Sequence, residues 1–136
     1  MSGGLANDRW ALVALRVIVG ALFIVHGLQK VIAGGGGPAF AGSLAHMGFT
    51  PGAVWAWIVT IVEFVGGICL VFGVFVRAAA ALIVLEMLVA IVKVNVHRGF
   101  YWTRGGWEMP ALLALLAAII AVTAPGRPGR AARRAF

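Results

Sequence analysis

Three glutamates set in apolar surroundings are the side chains of this 136-residue sequence best placed to do chemistry. Glu63 and Glu86 lie inside long apolar runs, and Glu108 opens another. A carboxylate at the centre of a membrane helix costs roughly 2.5 to 3.5 kcal/mol on the translocon scale, so it faces a partner or a cavity. Held there, a carboxyl can store or pass a proton, which makes Glu63 and Glu108 the candidate catalytic groups. Basic and amide side chains accompany them: Arg16, His26, Gln29, Lys30, Lys93 and His97.

Helical spacing tests whether these groups align. Arg16, Gly20, Phe23, Gly27 and Lys30 follow steps of four and three, keeping them within a stripe about 80 degrees wide. Glu86, Ala90, Lys93 and His97 follow the same steps, and Glu63 shares a face with Gly66 or Gly67 and Leu70. Charge mixed with small residues is what helices need where they approach closely and satisfy one another. Counting 1.5 Å per residue from the expected cytoplasmic end of each span puts Arg16 at about 9 Å and Glu86 at about 12 Å. Glu63 comes at about 18 Å and Lys93 at about 22 Å by the same rise. Arg16 with Glu86 is thus the expected structural ion pair, and Glu63 is expected to meet Lys93 or Lys30. Towards the outside, His26, Gln29, Lys30, Lys93, His97 and Trp107 are candidate ligand-binding residues, and Glu108 could join them. Cation, carboxylate and aromatic together suit an amphipathic, oxygen-bearing ligand such as a quinone or a lipid head group. The histidines admit other readings: His26 and His97 as a haem pair, or both with Glu108 on zinc. Neither haem, flavin nor a metal is the expected cofactor.

The elements that must position these residues are membrane helices. The chain is 62% hydrophobic and 11% charged, with a mean hydropathy of +1.04, far from the roughly 25% charge of soluble domains. Apolar runs over about 10–31, 53–75, 78–96 and 108–124 predict an all-α, antiparallel bundle of four transmembrane helices in one domain. The first run exceeds the usual 7 to 15 residues of a signal-peptide core and contains His26 and Lys30, so it is expected to be retained. Gly34 to Gly37 predict a hinge leading into a short interfacial helix over residues 38–47. Trp55 and Trp57 fit interfacial anchors.

Net charge is +7, but the basic residues flank apolar runs, and Arg127, Arg130, Arg133 and Arg134 crowd the tail. That pattern favours anionic lipid over nucleic acid. With Arg9, Arg77 and the tail arginines on one side, the positive-inside rule predicts two cytoplasmic termini. Cys69 is the sole cysteine, which excludes an internal disulfide or a dithiol relay.

The motifs in order resemble the DoxX family of small four-helix bacterial membrane proteins over about residues 10 to 126. They are Arg16 with Gly20; His26-Gly27-Leu28-Gln29-Lys30; Glu63-Phe-Val-Gly66-Gly67 with Gly73; and Arg77. They continue with Met87 to Ala90, His97-Arg-Gly99-Phe100, Gly105-Gly106-Trp107-Glu108 and Pro125-Gly126. The arginine-rich ending departs from the Ser-Leu-Asp-like ending common in the family. The resemblance implies a bacterial plasma-membrane protein associated with membrane redox systems.

The expected function is therefore a redox-associated subunit, an oxidoreductase component that is not autonomous, binding quinone or a similar carrier and relaying protons through glutamates. No nucleotide fingerprint or cysteine cluster supplies electrons, so a redox protein partner is expected beside membrane lipids and possible self-association. A small oligomeric transporter, a lipid-binding protein or a scaffold for soluble redox proteins are the alternatives.

Overall fold

A computed structural model describes residues 3–124, with side chains from residue 7 onward. The tail arginines lie outside the described residues. Among the described residues five α-helices run in order: α1 (Gly3–Ile32), α2 (Gly37–His46), α3 (Gly52–Phe72), α4 (Val76–Ala90) and α5 (Glu108–Thr123). Three helical stretches among these residues are long and apolar enough to cross a membrane: Asn7–Ile32, Gly52–Phe72 and Val76–Arg98. At 16 residues α5 is shorter, about 24 Å against the roughly 30 Å of a hydrocarbon core.

Backbone chemistry sets the breaks. After α1, Gly34 to Gly37 all take left-handed φ values between +65° and +82°, which a side chain would resist. The chain thereby turns into α2. Gly73 ends α3 at φ 75°, and the Val74 N–H closes back on the Cys69 carbonyl at 3.0 Å, a glycine-terminated helix end. Only Gly73, Val74 and Phe75 separate α3 from α4. Arg77 then donates to the Ala124 carbonyl at 2.7 Å, tying the start of α4 to the end of α5.

Helices α1 and α3 meet backbone to backbone. A Cβ placed on Gly20 would sit 2.8 Å from the Gly67 carbonyl oxygen, and one on Gly27 would sit 2.5 to 2.6 Å from Phe64 backbone atoms. Close approach of this kind replaces the hydrophobic drive that lipid surroundings remove. Contacts descend α3 as they ascend α1: Arg16 on Gly73, Gly20 on Gly67, Gly27 on Phe64, Lys30 on Glu63. Val19, Phe23, Leu70, Ala80, Ile83 and Met87 form the core with Ala114, Ala117 and Ile120 of α5.

Past Ala90 the α-helix gives way to a π-turn, Ile91–Asn95, and a 3-10 turn, Val96–Arg98. The expected stripe of Glu86, Ala90, Lys93 and His97 assumes α-helical phase throughout. The wider π-turn breaks that phase, and Lys93 and His97 emerge exposed. Asn95 Nδ2 donates to the Gly105 carbonyl at 2.6 Å, fixing the turn against the loop beyond it.

Candidate functional site

Lys30, near the end of α1, donates from Nζ to Glu63 Oε2 at 2.5 Å. The two side chains are 26% and 7% exposed. A helical side chain leans towards its helix N-terminus, so Lys30 reaches back along α1 towards Glu63. From α2, the Phe40 ring lies over the ammonium, 5.3 Å from Nζ to the centroid, within cation–π range. Lys30 is therefore held between a carboxylate and an aromatic face.

Glu86 brings a second carboxyl to the same place, where the charged groups around it are Glu63 and Lys30. The geometry of the α3–α4 hairpin explains this. Glu63 lies ten residues before Gly73 and Glu86 ten after Val76, so both stand about 15 Å from the turn. Glu86 Oε2 is buried without a hydrogen-bond partner among the described residues.

The expected pairing of Arg16 with Glu86 is not made: Lys30–Glu63 is the ion pair among the described residues. Arg16 lies beside the hairpin turn, its guanidinium within 3.1 Å of where a Gly73 Cβ would stand. It is 14 residues before Lys30, about 21 Å along α1. Counting depth from the sequence-defined start of each span put these residues at one level, whereas the α1–α3 contacts put Arg16 at the turn. A cation near a helix C-terminus complements its partial negative charge.

Of the expected outer pocket, only Lys30 joins the buried charges. His26 is exposed and donates from Nδ1 to its own helix at the Leu22 carbonyl, 2.9 Å away. Gln29, Lys93, His97 and Trp107 are exposed. Glu108 Oε2 accepts the Trp102 N–H at 3.1 Å, so it braces the 99–108 loop, where Trp107 packs edge-on against Phe100 at 4.9 Å. No hydrogen bond or ion pair joins Glu108 to Glu63 among the described residues. Nor do three His, Cys, Asp or Glu side chains converge there in a way that could hold a metal ion.

Two neighbours were not singled out from the sequence. Thr60 is fully buried, donating to the Ala56 carbonyl at 2.7 Å, and its place three residues before Glu63 was a readable signal. Phe40 carried no such signal, because its contact depends on how the loop folds back.

Comparison with known proteins identifies the family. The family model described as DoxX matches residues 11–97, the segment that carries Arg16, Lys30, Glu63 and Glu86. The chain belongs to the DoxX family. A Bacillus subtilis (strain 168) protein named "Putative oxidoreductase CatD" is 34% identical over 86 residues, which is 63% of this chain and 60% of that relative. The chain thus spans less than two thirds of this DoxX relative. No solved structure matches.

Proposed function

We propose that this DoxX protein is a membrane redox subunit that binds a quinone or similar amphipathic carrier at the outer end of the α1–α3 seam. Its helices α1, α3, α4 and α5 form an antiparallel four-helix bundle in a bacterial plasma membrane, with both termini cytoplasmic. The observation that carries the reading is the Lys30–Glu63 pair beneath Phe40, its carboxylate buried and its ammonium half-buried. An ammonium has three donors, and Glu63 engages one, leaving others for a carbonyl oxygen of a ligand. The Phe40 ring offers an apolar surface to the rest of it. Glu63, bound to the same ammonium, is placed to pass the protons that reduction of a quinone to a quinol takes up with its electrons. The electrons come from a partner protein, and the name of the Bacillus relative supports the redox assignment. The arrangement gives no equivalent support to proton transfer by Glu108, whose carboxylate is engaged in the loop.

Titration of a short-chain quinone into the protein in lipid nanodiscs tests the proposal. Loss of a hydrogen bond to a charged donor, about 1.5 to 3 kcal/mol, corresponds to at least tenfold weaker binding for Lys30→Ala. Glu63→Gln is expected to weaken binding too, by freeing Lys30 from its position. Unchanged affinity in both variants, with the fold intact, would remove the site.

A further inference from the structure

The proposed carrier site uses Glu63 and leaves Glu86 without a task. Three helices contribute to the buried charges: Lys30 from α1, Glu63 from α3 and Glu86 from α4. Two carboxyls therefore face one ammonium. The other cations of the membrane-length helices are elsewhere: Arg16 at Gly73, Arg77 on the Ala124 carbonyl, and Arg9, Lys93 and Arg98 exposed. Helix α5 places no charged side chain there, its Glu108 being bound in the loop. The Thr60 hydroxyl proton, on the face of α3 that carries Glu63, is already given to Ala56. Glu86 Oε2 is buried and unpartnered, whereas an ionised carboxylate in hydrocarbon needs a counter-charge.

We propose that Glu63 and Glu86 form a carboxyl–carboxylate pair that holds one exchangeable proton, with Lys30 neutralising the remaining charge. Glu86, rather than Glu108, is then the second proton-carrying group of the seam. A proton leaving Glu86 passes to Glu63, and the negative charge moves the opposite way, so the cluster stays neutral throughout. Two carboxyls held this close share a proton because both cannot ionise side by side. The inference concerns the seam of the proposed carrier site but needs no carrier bound.

Infrared spectroscopy of the carbon-13-glutamate-labelled protein in nanodiscs at neutral pH, without added quinone, tests it. The wild type is expected to show one carboxylic-acid C=O band that shifts with the label and in heavy water. Glu86→Gln and Glu63→Gln are each expected to lose it, because the surviving carboxylate pairs with Lys30. Lys30→Met is expected to raise its amplitude about twofold, and Glu108→Gln to leave it unchanged. Absence of the band from the wild type, or its full retention in both glutamine variants, would overturn the proposal. Failure of quinone to bind would leave the band in place, so the two readings fail separately.

Discussion

Replacing Lys30 by methionine is expected to destabilise the protein by about 3 kcal/mol at neutral pH, read as equilibrium unfolding in mixed micelles. Removing one partner of a buried pair leaves the carboxylate either uncompensated or obliged to take up a proton at neutral pH, which costs about 3 to 5 kcal/mol where both partners are fully enclosed. Lys30 is 26% exposed against 7% for Glu63, so the lower end of that range applies. The companion Lys30→Met/Glu63→Leu variant is expected to recover most of the loss, because an apolar pair of similar volume often replaces a buried ion pair without penalty. The single variant should also recover in acid, where protons replace the missing ammonium. Equal losses in the single and double variants would show that the stability comes from lysine packing rather than charge.

The second large effect is steric. Gly27→Ala places a methyl group 2.5 to 2.6 Å from the Phe64 backbone, which cannot move without separating α1 from α3. Overpacking typically costs about 1 to 3 kcal/mol, and the upper end is expected because the obstacle is backbone. Lys30 lies one helical turn beyond Gly27, so the displacement also draws its ammonium from Glu63. Gly42→Ala is the control: it lies within α2 and meets nothing within 4 Å. There the gain in helix propensity, up to about 1 kcal/mol, is expected to stabilise slightly. Thermal unfolding and hydrogen exchange along α1 distinguish the two; a Gly27→Ala variant as stable as wild type would refute the close α1–α3 contact.

Periodicity carried much of this arrangement. The stripe from Gly20 through Phe23 and Gly27 to Lys30 is the face of α1 that meets α3, since steps of four and three hold wherever the helix is regular. The corresponding stripe on the third apolar run failed where regularity fails: a π-turn after Ala90 leaves no mark in apolar spacing, and it carries Lys93 and His97 out of the expected phase. Depth measured from the ends of apolar runs also misled, because such ends are blurred by several residues. The turn at Gly73 to Phe75 is a sharper reference. Ten residues from Gly73 back to Glu63 and eleven from Phe75 on to Glu86 already place the two carboxyls nearly level. Glu108 opens α5, and its carboxylate accepts the Trp102 N–H of the preceding loop as a brace, a role that spacing along the chain does not reveal.

Among the described residues Glu63 of α3 and Glu86 of α4 gather about the Lys30 ammonium of α1 beneath Phe40 of α2, while Arg16 stands apart at the α3–α4 turn. The proposed carrier site lies at that ammonium rather than on the exposed aromatic loop at 99–108. Photolabelling with a quinone that carries a diazirine on its ring, competed by the unlabelled compound and mapped by mass spectrometry, tests this most directly. The account predicts saturable adducts on the peptides containing Lys30, Phe40 and Glu63, lost in Lys30→Ala; adducts confined to the loop at Phe100 to Trp107, or labelling that unlabelled quinone does not displace, would contradict it.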